Sequence, residues 1–324
     1  MEAPTESSTS VSIVIPTHNR KEKLHRLLGS LEGRPEVNAS PIIVVDDSES
    51  PNDVASAFPT LNIRHIVSPR RIFISKAKNL GWRNASTEFV YFIDDDNVVE
   101  ETTFHPLFRK MASSPSIGAL MPGVVYASNP DLVWVYATPF LNSRLVLNLV
   151  GRNAPRNPSL EGTLLLTDAL PNASLVRMKA LRQVGGFDER LVVNSSMDFA
   201  QRLKGSGWRV YAHTAGIIRH DVELPGKLGW WATHGSVDPA RVRYELRDWF
   251  LISKRLHPDA PFFRPKFALM SLRFVGPNTV GYMARSKERA KLLRSLLTGY
   301  VEGFELTGLK EEGYRTNVLE QPDV

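Results

Sequence analysis

Three carboxylates directly follow an apolar, strand-forming run in the first third of the chain. The run Phe89–Ile93 reads FVYFI, and Asp94, Asp95 and Asp96 come next. In an open α/β sheet, ligands bind at the carboxyl ends of the strands. Adjacent carboxylates repel one another, and a divalent cation that also takes phosphate oxygens is the simplest counter-charge. The triplet therefore predicts a metal–diphosphate site at a sheet edge, with a solvated acidic turn as the alternative.

Strand-like and helix-like segments alternate along the first hundred residues. Continuous apolar strands separated by amphipathic helices indicate a parallel, doubly wound sheet. The predicted strands are Val11–Pro16, Pro41–Val45, Ile63–Val67, Glu88–Ile93, Leu164–Leu166 and Trp208–Tyr211, and the predicted helices are Lys21–Leu31, Ser75–Ala85 and Met197–Gly205.

Composition excludes several classes of function. The 324 residues include no cysteine, which rules out disulfides, thiolate metal sites and a cysteine nucleophile. The sequence shows neither a signal-peptide pattern nor an apolar window of about 20 residues, so we expect a cytoplasmic protein. The net charge is +6, and the cation-rich stretch from Arg264 to Arg294 holds one acid, Glu288. That stretch indicates either an anionic partner or a solubilising face.

Six segments, in their order and spacing, resemble the inverting, rhamnosyltransferase-like family 2 glycosyltransferases with the GT-A fold. They are Val11–Arg20, Ile43–Ser48, Ile74–Gly81, Asp94–Asp96, Asn172–Glu189 and Trp208–His220. The resemblance implies an α/β fold: a Rossmann-like, mostly parallel sheet flanked by helices, with a C-terminal helical extension. It also implies a GT-A core at 10–222, which comprises a nucleotide-binding half (10–100) and an acceptor-binding half (101–222). Residues 1–9 are polar and rich in Ser and Thr, which predicts a disordered tail. A helical extension at 223–310 and a tail at 311–324 complete the expected organisation.

The resemblance also implies a set of donor-site residues that share positions at strand ends or on the third helix. The implied nucleotide-sugar contacts are Pro16, Thr17, Asn19, Arg20, Asp46, Asp47, Lys78, Asn79, Asp94 and Asp95. Asp96 and Asp94 are the implied ligands of Mn²⁺ or Mg²⁺. His220 lies where many family members carry a histidine near the metal or the diphosphate.

The catalytic base is where the sequence departs from the family. An inverting transferase needs a base for the acceptor hydroxyl, and the family's usual Glu-Asp pair falls on Ser195 and Ser196. Asp198 and Arg202 match the following positions. Asp198 is one candidate base, and Asp188 or Glu189 is another. If neither acid serves, the acceptor is already ionised, or the protein binds sugar nucleotide without transferring it. The structural alternative for Asp198 is an ion pair with Arg202, four residues later on the same helix.

The resemblance implies an enzyme that moves a sugar from a nucleotide diphospho-sugar to a glycan or lipid-linked acceptor in envelope glycan assembly. One alternative is a non-catalytic sugar-nucleotide or glycan-binding homologue. A sugar nucleotidyltransferase is disfavoured, because Thr17–Arg20 lacks the glycine-rich loop of that class. No nucleic-acid-binding module is recognisable. Two partners stay open: an anionic membrane surface at the inner face, contacted by basic amphipathic residues around 266–291, and a second copy in a homodimer.

Overall fold

The structure is a computed structural model that describes residues 10–51, 53–140, 147–224, 239–257 and 289–306. The chain divides into two compact units. The first comprises Met1–Glu189 with Phe199–Glu223, and the second comprises Arg190–Asp198 with Leu224–Val324. The predictions for 1–9, for the basic residues 266–288 and for 311–324 lie outside the described residues.

Strands and helices alternate along most of the described chain. In chain order, the strands are β1 (Val11–Thr17), β2 (Ile42–Asp46), β3 (Ile63–Val67), β4 (Phe89–Ile93), β5 (Asn97–Val99), β6 (Ile117–Tyr126), β7 (Asn129–Val135), β8 (Leu164–Leu166), β9 (Ala173–Arg177) and β10 (Arg209–His220). The helices are α1 (Lys21–Leu31), α2 (Val54–Ala57), α3 (Phe73–Arg83), α4 (His105–Ser113), α5 (Met178–Gln183), α6 (Ser195–Gly205), α7 (Pro239–Leu256) and α8 (Arg289–Leu306).

The first unit is built on one sheet with the strand order β3-β2-β1-β4-β9-β6-β10-β5, where β7 adds to β6 and β8 to β10. The strands from β3 to β4 are all parallel. Beyond β4 the sheet becomes mixed, because β9 runs antiparallel to both β4 and β6, while β10 is parallel to β6. The predicted α/β class is therefore confirmed, with the parallel part confined mainly to residues 11–93.

The carboxyl ends of the parallel strands gather the acidic residues at one edge of the sheet. Every residue of β1, β2 and β4 is buried, as expected for strands covered on both faces. Thr17 at the end of β1 is in register with Asp46 at the end of β2. Both acid-tipped strands therefore end at the same edge, on either side of β1.

Helix α3 lies directly on β1 because of one glycine. A Cβ atom at Gly81 would lie 2.3 Å from Val14 Cγ1, closer than real side chains approach. Only glycine permits this close packing of helix on strand. Lys78 and Asn79, less than one turn earlier, are consequently buried, at 5% and 1% exposure.

Two helices, α7 and α8, form most of the described part of the second unit. They pack closely where α8 carries glycines: a Cβ at Gly299 would lie 2.4 Å from the Arg243 carbonyl oxygen. No helix in the described ranges has both the length and the apolar content needed to span a membrane.

Candidate active site

The three carboxylates after β4 differ in the side chains that they contact. Asp94 Oδ1 lies 2.9 Å from Lys78 Nζ, and Asp94 is held by its backbone N–H, which donates to the Asn172 carbonyl oxygen at 2.8 Å. Within the described part of the chain, Asp94 Oδ1 is buried and has no well-aligned hydrogen bond, so Lys78 is an ionic partner only. Asp94 is therefore an anion paired with a cation on α3.

Asp95, the middle carboxylate, ties β1 to β4. Thr17 Oγ1 donates to Asp95 Oδ2 at 2.7 Å, and Arg20 Nη1 donates to Asp95 Oδ1 at 3.0 Å. Asp95 is 4% exposed. Burial raises the pKa of Asp95 to about 6, although the charge of Arg20 and the Thr17 hydrogen bond oppose the rise. Both carboxylate oxygens thus bind protein groups that position the loop after β1.

Asp96 shares Arg20 with Asp95 and lies beside a histidine. Arg20 Nη1 donates to Asp96 Oδ2 at 2.9 Å, and His220 Nε2 is 3.5 Å from Asp96 Oδ1. Burial raises the pKa of Asp96, but the contact with His220 and the charges of His220 and Arg20 outweigh burial and hold that pKa below its usual range. The structure thus brings the predicted pair Asp96 and His220 together.

His220 is placed by the pairing of two strands and by an aromatic ring. The end of β10 pairs with β5, so that His220 is in register with Asn97. The Trp134 ring lies edge-on to the imidazole, at 4.8 Å between centroids. His220 Nδ1 is buried without a hydrogen-bond partner among the described residues. The imidazole is therefore fixed mainly by packing, with its Nε2 side toward Asp96.

The side chains at this edge that can ligate a metal suit a hard divalent cation that also binds a diphosphate. Asp94, Asp96 and His220 offer oxygen and nitrogen ligands, but no group of three such side chains is close enough to form a metal site by itself in the described ranges. Mg²⁺ is commonly held by one or two carboxylates together with substrate phosphates. The residues thus fit a cation whose coordination the substrate completes.

A cavity of about 270 Å³ lies beside the ends of β1 to β3. Its lining includes His18, Asp47, Val67, Arg70 and Arg71. Its position at the carboxyl edge of the parallel strands is where α/β folds bind nucleotides. The cavity is therefore the candidate nucleoside pocket.

Asp47 shapes the wall of this pocket. Its Oδ2 accepts the backbone N–H groups of Ile72 (2.7 Å) and Phe73 (3.1 Å), and its Oδ1 lies 3.0 Å from His18 Nδ1. Phe73 has a φ of 60°, which is unusual for a residue with a side chain. Asp47 thus stabilises the strained turn that begins α3.

Asp46 and Asn19 order the neighbouring loop. Asp46 Oδ1 accepts the Ser48 backbone N–H at 2.8 Å, and Asp46 Oδ2 is 3.4 Å from His65 Nε2. Asn19 has a φ of 52°; its backbone N–H donates to Ser48 Oγ at 2.7 Å, and its side-chain oxygen accepts the Glu49 N–H at 3.1 Å. The implied nucleotide contacts therefore also organise one another, while Pro16 is buried within β1.

Asn79 contacts the loop after α5. Its Nδ2 donates to the Phe187 carbonyl oxygen (2.8 Å) and to Glu189 Oε1 (3.0 Å), and its Oδ1 accepts the Phe187 N–H at 2.8 Å. The Phe187 ring centroid is 5.7 Å from Lys78 Nζ. Asp188, the next residue in the chain, is half-buried.

The glycine pair before this loop predicts a tight turn with positive φ, and the structure confirms it. Gly185 and Gly186 have φ values of 73° and 79°. A Cβ at Gly186 would lie 2.4 Å from Asn79 Oδ1. Glycine is therefore needed for Asn79 to reach the loop.

In the second unit, helix α7 holds the segment Arg190–Asp198. Asp248 Oδ2 accepts the backbone N–H groups of Val192 (2.7 Å), Val193 (2.6 Å) and Asn194 (3.2 Å). Asp248 is fully buried. Sequence reasoning missed this role, because nothing local to Asp248 points to a loop more than fifty residues earlier.

Asp198 lies in a buried ion pair within the same unit. Arg255 Nη1 donates to Asp198 Oδ1 at 2.7 Å, and the two side chains are 3% and 0% exposed. Ser195, which begins α6, is also buried, while Ser196 is half-buried. The predicted base Asp198 is thus engaged by a cation that the sequence did not identify.

Comparison with known proteins identifies the class. A family model described as glycosyl transferase family 2 matches residues 12–185, more than half of the chain. The chain therefore belongs to glycosyl transferase family 2.

Particular relatives add detail. The pre-mycofactocin glycosyltransferase of Mycobacterium tuberculosis is 29% identical over 251 residues, which are 74% of this chain and 49% of that protein. The chain thus spans about half the length of this curated relative. A mannosyltransferase from Pyrobaculum calidifontis, solved with GDP-Man and Mn²⁺, aligns with a TM-score of 0.52 and 16% identity over 91% of this chain and 86% of that one. GalNAc-T7, solved with UDP, GalNAc and Mn²⁺, aligns with a TM-score of 0.57 and 14% identity over 84% of this chain and 58% of that one. At such identities the structural likeness shows the GT-A fold.

Proposed function

We propose that this chain is a metal-assisted, inverting glycosyltransferase that moves a sugar from a nucleotide diphospho-sugar to a glycan or lipid-linked acceptor. Family membership supports the reaction class, and two proteins of the same fold were solved with Mn²⁺ and either UDP or GDP-Man. One observation carries the proposal: Asp94, Asp96, Lys78 and His220 converge at the edge of the sheet that also borders the nucleoside-sized cavity.

The donor's nucleoside would occupy the cavity beside Asp47, with its diphosphate toward the end of β4. Asp94, Asp96 and His220 would hold the cation, which neutralises charge on the departing diphosphate when bound. Lys78 is buried beside Asp94, so its ammonium acts in a medium where charges are poorly screened. We assign Lys78 to the diphosphate, where its positive charge favours the leaving group.

The acceptor needs a group that removes its hydroxyl proton. We propose Asp188 for this role over Asp198, because Asp198 is buried and bound to Arg255, whereas Asp188 follows the ring beside Lys78. The acceptor oxygen forms a bond to the anomeric carbon as the bond from that carbon to the diphosphate oxygen breaks. The proton passes to Asp188, and attack opposite the leaving group inverts the anomeric configuration.

Titration calorimetry with UDP, GDP and dTDP, each with and without Mn²⁺, tests the donor site. We expect one nucleotide to bind with metal-dependent affinity, and we expect Asp96→Asn to weaken that binding by roughly tenfold or more. Asp131→Asn, at an exposed acid on β7, is the matched control and leaves binding unchanged. If no nucleotide binds under either condition, the donor-site assignment is wrong.

Release of nucleotide from the donor that binds, with water or an added sugar as acceptor, tests the base. Asp188→Asn should lower turnover by about 100-fold or more while nucleotide affinity stays the same. Equal turnover in Asp188→Asn and wild type would remove Asp188 from the mechanism.

Ser195 and Ser196 favour a second candidate function, because they replace the usual acids. This function is binding of the sugar nucleotide without transfer. Tight donor binding by the wild-type chain, with no release from any nucleotide sugar, would support this second function instead.

A further inference from the structure

Helix α8 carries a line of exposed apolar side chains. Leu293, Leu297 and Val301 are 48%, 62% and 53% exposed, and they make up half of the large hydrophobic residues that are exposed in the described ranges. A spacing of four residues places them on one side of the helix. We call this line the outer stripe.

The opposite side of α8 is the one that packs against α7. Leu292 is 1% exposed. Cβ atoms at Gly299 and Gly303 would lie 2.4 Å from the Arg243 carbonyl oxygen and 2.9 Å from Phe250 Cβ. Because the helix pair forms through this glycine side, its packing does not account for the outer stripe.

Three exposed cations lie in the first two turns of α8. Arg289, Lys291 and Arg294 are exposed, and the sequence from 289 to 301 contains no acid. Glu302, the first acid after it, accepts a hydrogen bond from Arg243 Nε at 2.8 Å. The exposed part of α8 is therefore apolar and cationic together.

We propose that α8 lies on an anionic lipid surface, with the outer stripe at the headgroup–acyl boundary and its cations among the phosphates. Interfacial helices combine an apolar stripe with Lys and Arg in this way, and each cation near an anionic bilayer strengthens binding. If α8 paired with itself around a two-fold axis, each helix would bring three exposed cations and one exposed acid, Glu305, to the interface. Charge complementarity thus favours lipid over a second copy of the chain.

Co-sedimentation of the full chain with lipid vesicles tests this proposal. We expect binding to mixed phosphatidylglycerol and phosphatidylcholine vesicles at low salt, and much weaker binding at high salt or to phosphatidylcholine alone. Arg294→Glu should weaken binding to the anionic vesicles by roughly tenfold or more, because it reverses one charge. Leu297→Glu should abolish it, whereas Leu166→Glu, at a leucine 52% exposed on β8, should leave it unchanged.

The absence of cysteine permits a direct readout of insertion. A Leu297→Cys variant labelled with an environment-sensitive dye should show a blue shift when anionic vesicles are added, and a labelled Leu166→Cys variant should not. No binding to anionic vesicles at low salt would overturn the proposal. So would light scattering that shows a wild-type dimer which Leu297→Glu dissociates, because the stripe would then be a protein interface.

Discussion

The ion pair between Asp198 and Arg255 permits a quantitative prediction about the second unit. The pair joins the first turn of α6 to α7, with 2.7 Å between Oδ1 and Nη1 and at most 3% exposure of either side chain. Replacing one member of a buried pair leaves the other charge without compensation and costs about 3–5 kcal/mol. Arg255→Met, which keeps the length of the side chain, should therefore lower the free energy of unfolding by about that amount.

Removing both charges should cost much less than removing one. The double variant Asp198→Leu/Arg255→Met removes both charges of this pair, and apolar replacements of buried pairs are often neutral. We therefore expect the double variant to regain most of the lost stability, with a coupling energy of about 2 kcal/mol or more between the two positions. Asp198→Asn keeps an oxygen acceptor for Arg255 and should cost about 1–3 kcal/mol.

Urea unfolding followed by circular dichroism measures the wild type, the single variants Arg255→Met and Asp198→Leu, the double variant, and Asp198→Asn, so that the coupling energy comes from a complete cycle. Two results would refute the reasoning: a loss below about 1 kcal/mol in Arg255→Met, or additive losses in the double variant. The turnover of the same proteins tests whether Asp198 takes part in catalysis. If Asp198 serves structure alone, the turnover of folded Asp198→Asn should match that of the wild-type chain.

Three further predictions concern the first unit. Lys78→Met should weaken nucleotide binding by roughly tenfold or more in calorimetry, whereas Lys76→Met, at an exposed lysine on the same helix, should not. Gly81→Ala should lower the free energy of unfolding by about 1–3 kcal/mol through overpacking, while Gly29→Ala, on the open face of α1, should leave it unchanged or raise it slightly. Burial and a nearby lysine charge lower the pKa of His213. The unfolded chain therefore binds the proton more readily, so stability should fall as the pH drops below about 6.5, and His213→Gln should flatten that dependence.

Local patterns in the sequence predict the helices and strands of the first hundred residues well. Helix α1 and strand β3 occur at the residues predicted, Lys21–Leu31 and Ile63–Val67. In α1 the leucines at 24, 27, 28 and 31 repeat with the helical period and are all buried. Such elements are predictable because each carries its own burial pattern.

Strands β6 and β9 depend on long-range contacts that local sequence patterns do not predict. Strands β6 (Ile117–Tyr126) and β9 (Ala173–Arg177) are absent from the predicted set, although β6 is entirely buried. β9 lies antiparallel between β4 and β6, so its place is set by partners about eighty and fifty residues earlier in the chain. A continuous apolar run does not reveal which strands flank it.

In the candidate site, too, the sequence identifies which residues matter but not which residues they contact. The family resemblance implies that Lys78, Asp94 and Asp96 belong to one site, and a cation together with acids at a strand end suits a diphosphate. It does not indicate that Arg20 bridges two of the acids, or that Arg255 binds Asp198. Partner choice requires the tertiary structure, since these pairs are more than fifty residues apart in sequence.

The charges at the end of β4 favour joint binding of metal and donor. Three carboxylates pair directly with two permanent cations, Arg20 and Lys78, so these five groups together carry one net negative charge. Lys23, which also acts on Asp96, is itself paired with Asp221. A divalent cation alone would turn the cluster positive, and a diphosphate alone would make it strongly negative. Binding both restores the original balance in a site where buried charges are poorly screened. Metal and nucleotide should therefore each raise the affinity for the other by the same factor. Equal nucleotide affinity with and without metal would mean that Arg20 and Lys78 suffice for the diphosphate.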